Sequence, residues 1–299
     1  MFGVCVKSRG MSGVCVKSHG GNGVEYCGKS LDGFEYAFSS LLRANGVDVE
    51  RLPSLDCLSF RSFAFSGSGS VRDWFRPVAE WRFYVPMLAA NLGCTDTLEL
   101  QSAPDASPNA FRVWTLAGEV PYPGQRVTVR STFYSGTPPF FLCKRILEGE
   151  LMICDPLDGS CDLVAEDALY TALKRSDGYL ASFHQPPDIH TASAEAVLDR
   201  ALAWRATGGV GVAAEDFPFV ERWHGGPREQ ISLRYGLMNG AVQMSKTVRF
   251  FTDAGLLGRP AAERLTQMLM DVPDIWKNGR FALLHQLDET LWTALRKGW

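Results

Sequence analysis

The chain is short of histidine, with five among 299 residues, so any site built on imidazole has few possible members. Its eight cysteines include no Cys-x-x-Cys pair, the spacing that a structural zinc site needs. No run of about 18 apolar residues occurs, so nothing reads as a membrane span. Basic charge is not in excess: 30 Lys and Arg stand against 33 Asp and Glu, a formal net charge of −3. A nucleic-acid-coating surface is therefore not expected, because phosphate binding needs a basic face. Gly-x-x-x-x-Gly-Lys-Ser/Thr, His-Glu-x-x-His and Gly-x-Ser-x-Gly motifs are all missing. What is present is apolar material: 46% of residues are hydrophobic, ample for packed cores and too much for a disordered chain. The length accommodates one large domain or two of about 150 residues.

The first ten residues lack the apolar core of a secretory signal, so the expectation is a cytoplasmic chain with reduced thiols. Cys143 and Cys154 sit in apolar, strand-like runs and read as small core residues. The segment Phe2 to Gly10 is echoed by Ser12 to Gly20 around a repeated Val-Cys-Val. Two copies are too few for a repeat architecture, so residues 1–23 are taken as an arm with a local duplication.

From Ser30 to Ala44 the spacing predicts a helix. Phe34, Ala37, Phe38, Leu41 and Leu42 make one apolar face, and Asn45-Gly46 ends it. Trp81 to Leu92 carries a second amphipathic pattern, disturbed by Pro86 and closed by Gly93. Gln125–Phe133 alternates like a strand. Phe140–Ile146 and Glu150–Cys154 read as a hairpin joined by Glu148-Gly149. Val164–Lys174 reads as a short helix and Tyr179–Phe183 as a strand. Gln185-Pro186-Pro187 is the expected linker. Beyond it the pattern is helical, over about 192–206, 215–223, 229–254, 260–271 and 275–297. The expectation is thus an α+β unit over 24–185 and a mostly helical one over 186–299.

The order of these elements resembles the acyltransferase family typified by the butirosin biosynthesis protein H. The likeness rests on Phe38-Ser-Ser-Leu-Leu-Arg-Ala-Asn-Gly46, on Leu88-Ala-Ala-Asn-Leu-Gly93, on Glu150-Leu-Met-Ile-Cys-Asp-Pro156, and on Arg234–Phe251 with Ala261–Trp276. The resemblance implies a papain-like core with an antiparallel sheet, related to the double-glycine-leader peptidases, followed by a helical C-terminal domain. It implies a Cys–His pair with an acidic residue, moving an acyl group from a carrier-protein thioester to a small-molecule amine in bacterial specialised metabolism. The chemical logic is that a thiolate is a strong nucleophile, His takes its proton, and a carboxylate fixes the imidazole tautomer. No cofactor is implied.

The sequence departs from the family pattern twice. The family cysteine position falls on Gly33, with Cys27 the nearest thiol, and the position of the family histidine falls in Thr137-Pro-Pro-Phe-Phe141. Asp155 alone matches in place. The candidate catalytic residues are therefore Cys27 as nucleophile, His19 or His184 as base, and Asp155 as orienting acid. Lys29, Arg234 and Tyr235 are candidates for binding a substrate carboxylate or a carrier phosphate. Against these roles stand ordinary ones: an incidental thiol, solvated His and Lys side chains, a turn-opening Asp-Pro and a structural ion pair. Two other functional classes stay open. One is a non-catalytic binding or scaffold relative; the other is a cleft enzyme using acid–base cyclisation without a cysteine.

Overall fold

The face expected from Phe34, Ala37, Phe38, Leu41 and Leu42 is buried to the last residue, none exceeding 1% exposure. Removing each large side chain of such a face from water stabilises by roughly 1.5–3 kcal/mol. These residues lie on α1, Gly33–Ala44, in a computed structural model of the chain. The structure describes residues 33–63, 81–101, 112–115, 140–147, 149–154, 161–167, 179–207, 227–280 and 282–297. The duplicated arm, the expected strand Gln125–Phe133 and the expected helix 215–223 lie outside them, as does Ser30.

Gly46, at φ +85°, ends α1. Val47 N donates to Leu42 O at 3.0 Å and Gly46 N to Arg43 O at 2.9 Å, which satisfies the last carbonyls of the helix. A 3-10 turn, Val49–Arg51, leads to the one-turn helix α2, Leu55–Leu58. Helix α3, Trp81–Leu92, tolerates Pro86 inside it and stops at Gly93, φ +69°.

Among the described residues six strands follow: β1 (Leu98–Gln101), β2 (Arg112–Thr115), β3 (Phe140–Leu147), β4 (Glu150–Cys154), β5 (Cys161–Ala165) and β6 (Tyr179–Phe183). They form one antiparallel sheet in the order β1-β6-β2-β3-β4-β5. The β3–β4 hairpin turns at Gly149, φ +78°, where a left-handed residue suits the twist of paired strands. The expected helix at Val164–Lys174 is corrected at its start. Val164 and Ala165 belong to β5, opposite Leu151 and Glu150. The edge of β4 must find hydrogen-bond partners, and that demand outweighs a weak helical pattern. Helix α1 packs across β2 and β3.

After β6 the chain bends at His184 and Gln185 and runs without regular structure to Ser193, and it is tied down rather than loose. His190 N donates to Leu92 O at 3.0 Å and Ala192 N to Asn91 O at 2.8 Å. Among the described residues five helices follow: α4 (Ala194–Ala206), α5 (Pro227–Asp253), α6 (Arg259–Asp271), the one-turn α7 (Ile275–Asn278) and α8 (Ala282–Lys297). Ser193 caps α4, its hydroxyl accepting from Ala196 N at 3.3 Å. The single helix expected over 275–297 is divided, because Gly279 adopts φ +63° and turns the chain between α7 and α8. Mixed helix and antiparallel sheet make the fold α+β. One buried cluster runs from Phe34 to Leu295, drawing on helices from both sides of residue 185.

Candidate functional site

Charged residues at buried positions mark where α1, α2 and α5 meet. Glu35 is in the first turn of α1, where an acid faces unbonded amides. Its Oε1 accepts from Ser54 Oγ at 2.7 Å and from Leu55 N at 2.9 Å, so it also caps α2. Asp56, on α2, has no exposed side-chain surface. Lys246, about two turns before the end of α5, bridges the two acids: Nζ lies 2.5 Å from Glu35 Oε2 and 2.6 Å from Asp56 Oδ2. Arg61 completes the balance, donating to Asp56 Oδ1 at 3.2 Å and lying 4.2 Å from the centre of the Phe34 ring. Two acids thus meet two bases.

Burial governs how these groups hold their protons. It opposes charge on Glu35, but the Lys246 ammonium outweighs it and holds the carboxyl below its usual range. Asp56 goes the other way. Its complete removal from water raises its pKa despite Lys246 and Arg61. For Lys246 burial opposes charge, yet Asp56 and Glu35 together push the ammonium above its ordinary value. A proton held that tightly leaves no lone pair for nucleophilic attack, so the lysine acts here as a clamp.

Cys57 adjoins this cluster, and Ser62 Oγ donates to its sulfur at 3.4 Å. Thr247 donates to Ser62 O at 2.8 Å and lies 2.6 Å from Ser62 Oγ, which adds a neutral tie between α5 and the α2 region. Burial pushes the Cys57 thiol up to about 12 and the Cys94 thiol up to about 11. Neither forms a thiolate near neutrality, and reactivity follows the thiolate. Farther along, Arg205 lies 2.9 Å from the buried Asp288, which also accepts from Trp292 Nε1 at 3.0 Å. Burial raises the Asp288 pKa against the pull of that guanidinium.

Of the residues expected from the sequence, Cys27, His19, Lys29 and Asp155 lie outside the described residues. His184 follows β6 directly, is exposed, and is held through its amide, which donates to Thr97 O at 3.2 Å. Arg234 and Tyr235 lie on α5, about three turns before Lys246. Cys143 takes a central place in β3, opposite Arg112 on one side and Ile153 on the other.

The Glu35–Asp56–Arg61–Lys246 constellation was not among the expected sites. A signal for it exists in the sequence. Lys246 lies beside the buried stripe Ala241, Met244, Val248 and Phe251 of α5, and Asp56 sits between Leu55 and Leu58. Charge on a buried stripe demands a partner. Among the described residues no group of three or more His, Cys, Asp or Glu is placed to hold a metal ion, and no helix is long and apolar enough to cross a membrane. No protein-family profile, curated protein or solved structure matches the chain.

Proposed function

We propose that the chain is an acyltransferase of papain-like architecture that takes an acyl or aminoacyl thioester, carried by an acyl carrier protein, and passes it to a small-molecule amine. The supporting observation is the packing of α1 across β2 and β3, with β4 running out at Cys154 directly before Asp155. A papain-like site needs that arrangement: a helix following the nucleophile, laid on a sheet whose strand ends supply base and acid. Cys57 and Cys94 are held as thiols, which leaves the nucleophile to a cysteine elsewhere, and Cys27 precedes α1.

In this mechanism the Cys27 thiolate attacks the thioester carbonyl after His19 or His184 accepts its proton. The carrier thiol leaves with a proton. The amine then attacks the acyl-enzyme, and Cys27 is released as thiol. Asp155 orients the imidazole, while Lys29, Arg234 and Tyr235 hold the anionic part of the substrate. The test is mass spectrometry of the full chain after incubation with an acyl thioester, beside the Cys27→Ala variant. A single acyl adduct that disappears in the variant, together with amine transfer, supports the reading. Unchanged turnover in Cys27→Ala overturns the mechanism.

A second reading, a non-catalytic scaffold of the same architecture, is favoured by one observation. Strand β3 opens with Phe140-Phe141 where the family pattern has its histidine. Tight binding of a carrier protein with no covalent adduct would select it.

A further inference from the structure

Strands β4 and β5 set two cysteines opposite each other: Cys154 is the direct register partner of Cys161. The phase of this ladder is fixed at its other end, where Glu166 N donates to Gly149 O at 2.9 Å. That bond makes Gly149 and Glu166 a hydrogen-bonded pair, and the two kinds of pair alternate along antiparallel strands. The register then runs unbroken through Glu150–Ala165 to Cys154–Cys161, which is therefore a non-hydrogen-bonded pair. Such pairs hold their Cα atoms about 4.5 Å apart, inside the window of about 4.4–6.8 Å that a disulfide spans. Directly opposite residues also share a sheet face. Alternation puts Leu163 and Ala165 on the face of Cys161, with Glu150 across from Ala165. That face is open along β5: Leu163 is 52% exposed, and Ala165 and Glu150 are exposed too. Among the described strands β5 is an edge of the sheet. Cys143 is opposite Ile153, one step out of phase, and so belongs to the other face.

We propose that Cys154 and Cys161 are a reversible redox pair, a cross-strand disulfide that staples the edge strand β5 to β4 when the chain meets a small disulfide such as oxidised glutathione. The thiolate of one cysteine attacks that disulfide, forms a mixed disulfide and releases one small thiol. The second cysteine's thiolate attacks the protein sulfur of the mixed disulfide and releases the other. The protein loses two electrons and two protons, and the small disulfide gains them as two thiols. Only six residues separate the cysteines, and the paired strands already hold the ends of that loop together, so the second step needs no rearrangement of the sheet. Neither cysteine has a part in the proposed thioester chemistry, so the two readings stand or fall separately.

The test is treatment of the native full chain with oxidised glutathione, trapping of free thiols with N-ethylmaleimide, and tryptic mass spectrometry. Ile146–Lys174 is a single tryptic peptide that holds these two cysteines and no other. It should lose two hydrogens, take up no maleimide, and accept two maleimides once dithiothreitol has been added. Cys161→Ser should leave Cys154 as a lasting glutathione adduct, and Cys154→Ser should do the same for Cys161. Cys143→Ser should leave the cross-link intact. Amide exchange across β4 and β5 should slow by about tenfold in the oxidised chain, because the closed ring limits opening of the pair. A peptide that stays reduced, or carries two lasting glutathione adducts, overturns the proposal. So does a cross-link from either cysteine to a third, or one that forms only in denatured chain.

Discussion

Lys246 Nζ reaches the fully buried carboxylate of Asp56 at 2.6 Å across 190 positions of sequence. The same ammonium holds Glu35 at 2.5 Å, so one side chain of α5 fixes both α1 and α2.

Lys246→Met therefore leaves Glu35 without its counter-ion and the fully buried Asp56 with Arg61 alone. Breaking a buried pair from one side costs about 3–5 kcal/mol, and the lower end applies because Lys246 keeps 23% of its side-chain surface. Urea denaturation should show the midpoint falling at an unchanged slope. Adding Glu35→Gln and Asp56→Asn to Lys246→Met should recover much of the loss. Breaking the exposed Arg51–Asp48 pair should cost under about 1 kcal/mol. A Lys246→Met loss no larger than that would refute the clamp.

The Cys57 thiol makes a prediction about alkaline pH. Its folded pKa, about 12, lies above its ordinary value of 9.0, because burial disfavours the thiolate. The unfolded chain therefore ionises first. The contribution of this group is complete below pH 9 and is lost as pH rises toward 12, by about 1.4 kcal/mol per unit. Native protein at pH 8 should leave Cys57 and Cys94 unalkylated by iodoacetamide, and mild denaturant should expose both. Cys57→Ala should flatten the alkaline limb of stability. Rapid native alkylation of Cys57 would sink this account.

Gly93 and Gly46 both close helices at positive φ, yet their surroundings differ. A Cβ on Gly93 would lie 3.0 Å from His190 O and 3.2 Å from His190 Cβ, whereas one on Gly46 would meet nothing within 4 Å. Both alanine variants carry backbone strain of about 1 kcal/mol. Gly93→Ala should cost about 1–2 kcal/mol more, since the segment at His190 must move. Equal thermal shifts for the two variants would show that the segment yields freely.

Asn91 is wholly buried and joins three pieces of chain. It donates to Leu58 O at 2.7 Å, accepts from Arg200, and its carbonyl accepts from Ala192 N at 2.8 Å. Asn91→Ala leaves the Leu58 carbonyl without that donor and opens a small cavity. A loss of about 2–3 kcal/mol is expected in chemical denaturation, with Asn91→Asp no milder. Amide exchange near residue 192 should accelerate in the same variant.

Much of the fold was legible because local period and stop signals agree. Phe34 through Leu42 repeat at helical spacing before Asn45-Gly46, and Glu148-Gly149 sits between two apolar runs that do pair. β5 was misread because Val164 and Ala165 suit a helix locally, while the open edge of β4 decides otherwise. Gly279 was passed over because an isolated glycine within an amphipathic pattern carries no mark of its handedness. The ionic cluster was hidden for a different reason. Glu35 alone is an ordinary first-turn acid, and its meaning comes from a lysine far along the chain. Periodicity reports the face on which a residue lies, and the partner it meets there is set by tertiary packing.

The strand order has a consequence for how the protein is made. β6 lies between β1 and β2, with Leu98 paired to Phe183 and Val113 to Ala181. As the chain leaves the ribosome, β2 to β5 can pair among themselves in turn, but among the described strands β1 has no partner until Phe183 emerges. Until then two strand edges wait facing a gap of one strand, open to any other extended segment. β6 is the keystone of the sheet, since its arrival closes the β1 and β2 edges together.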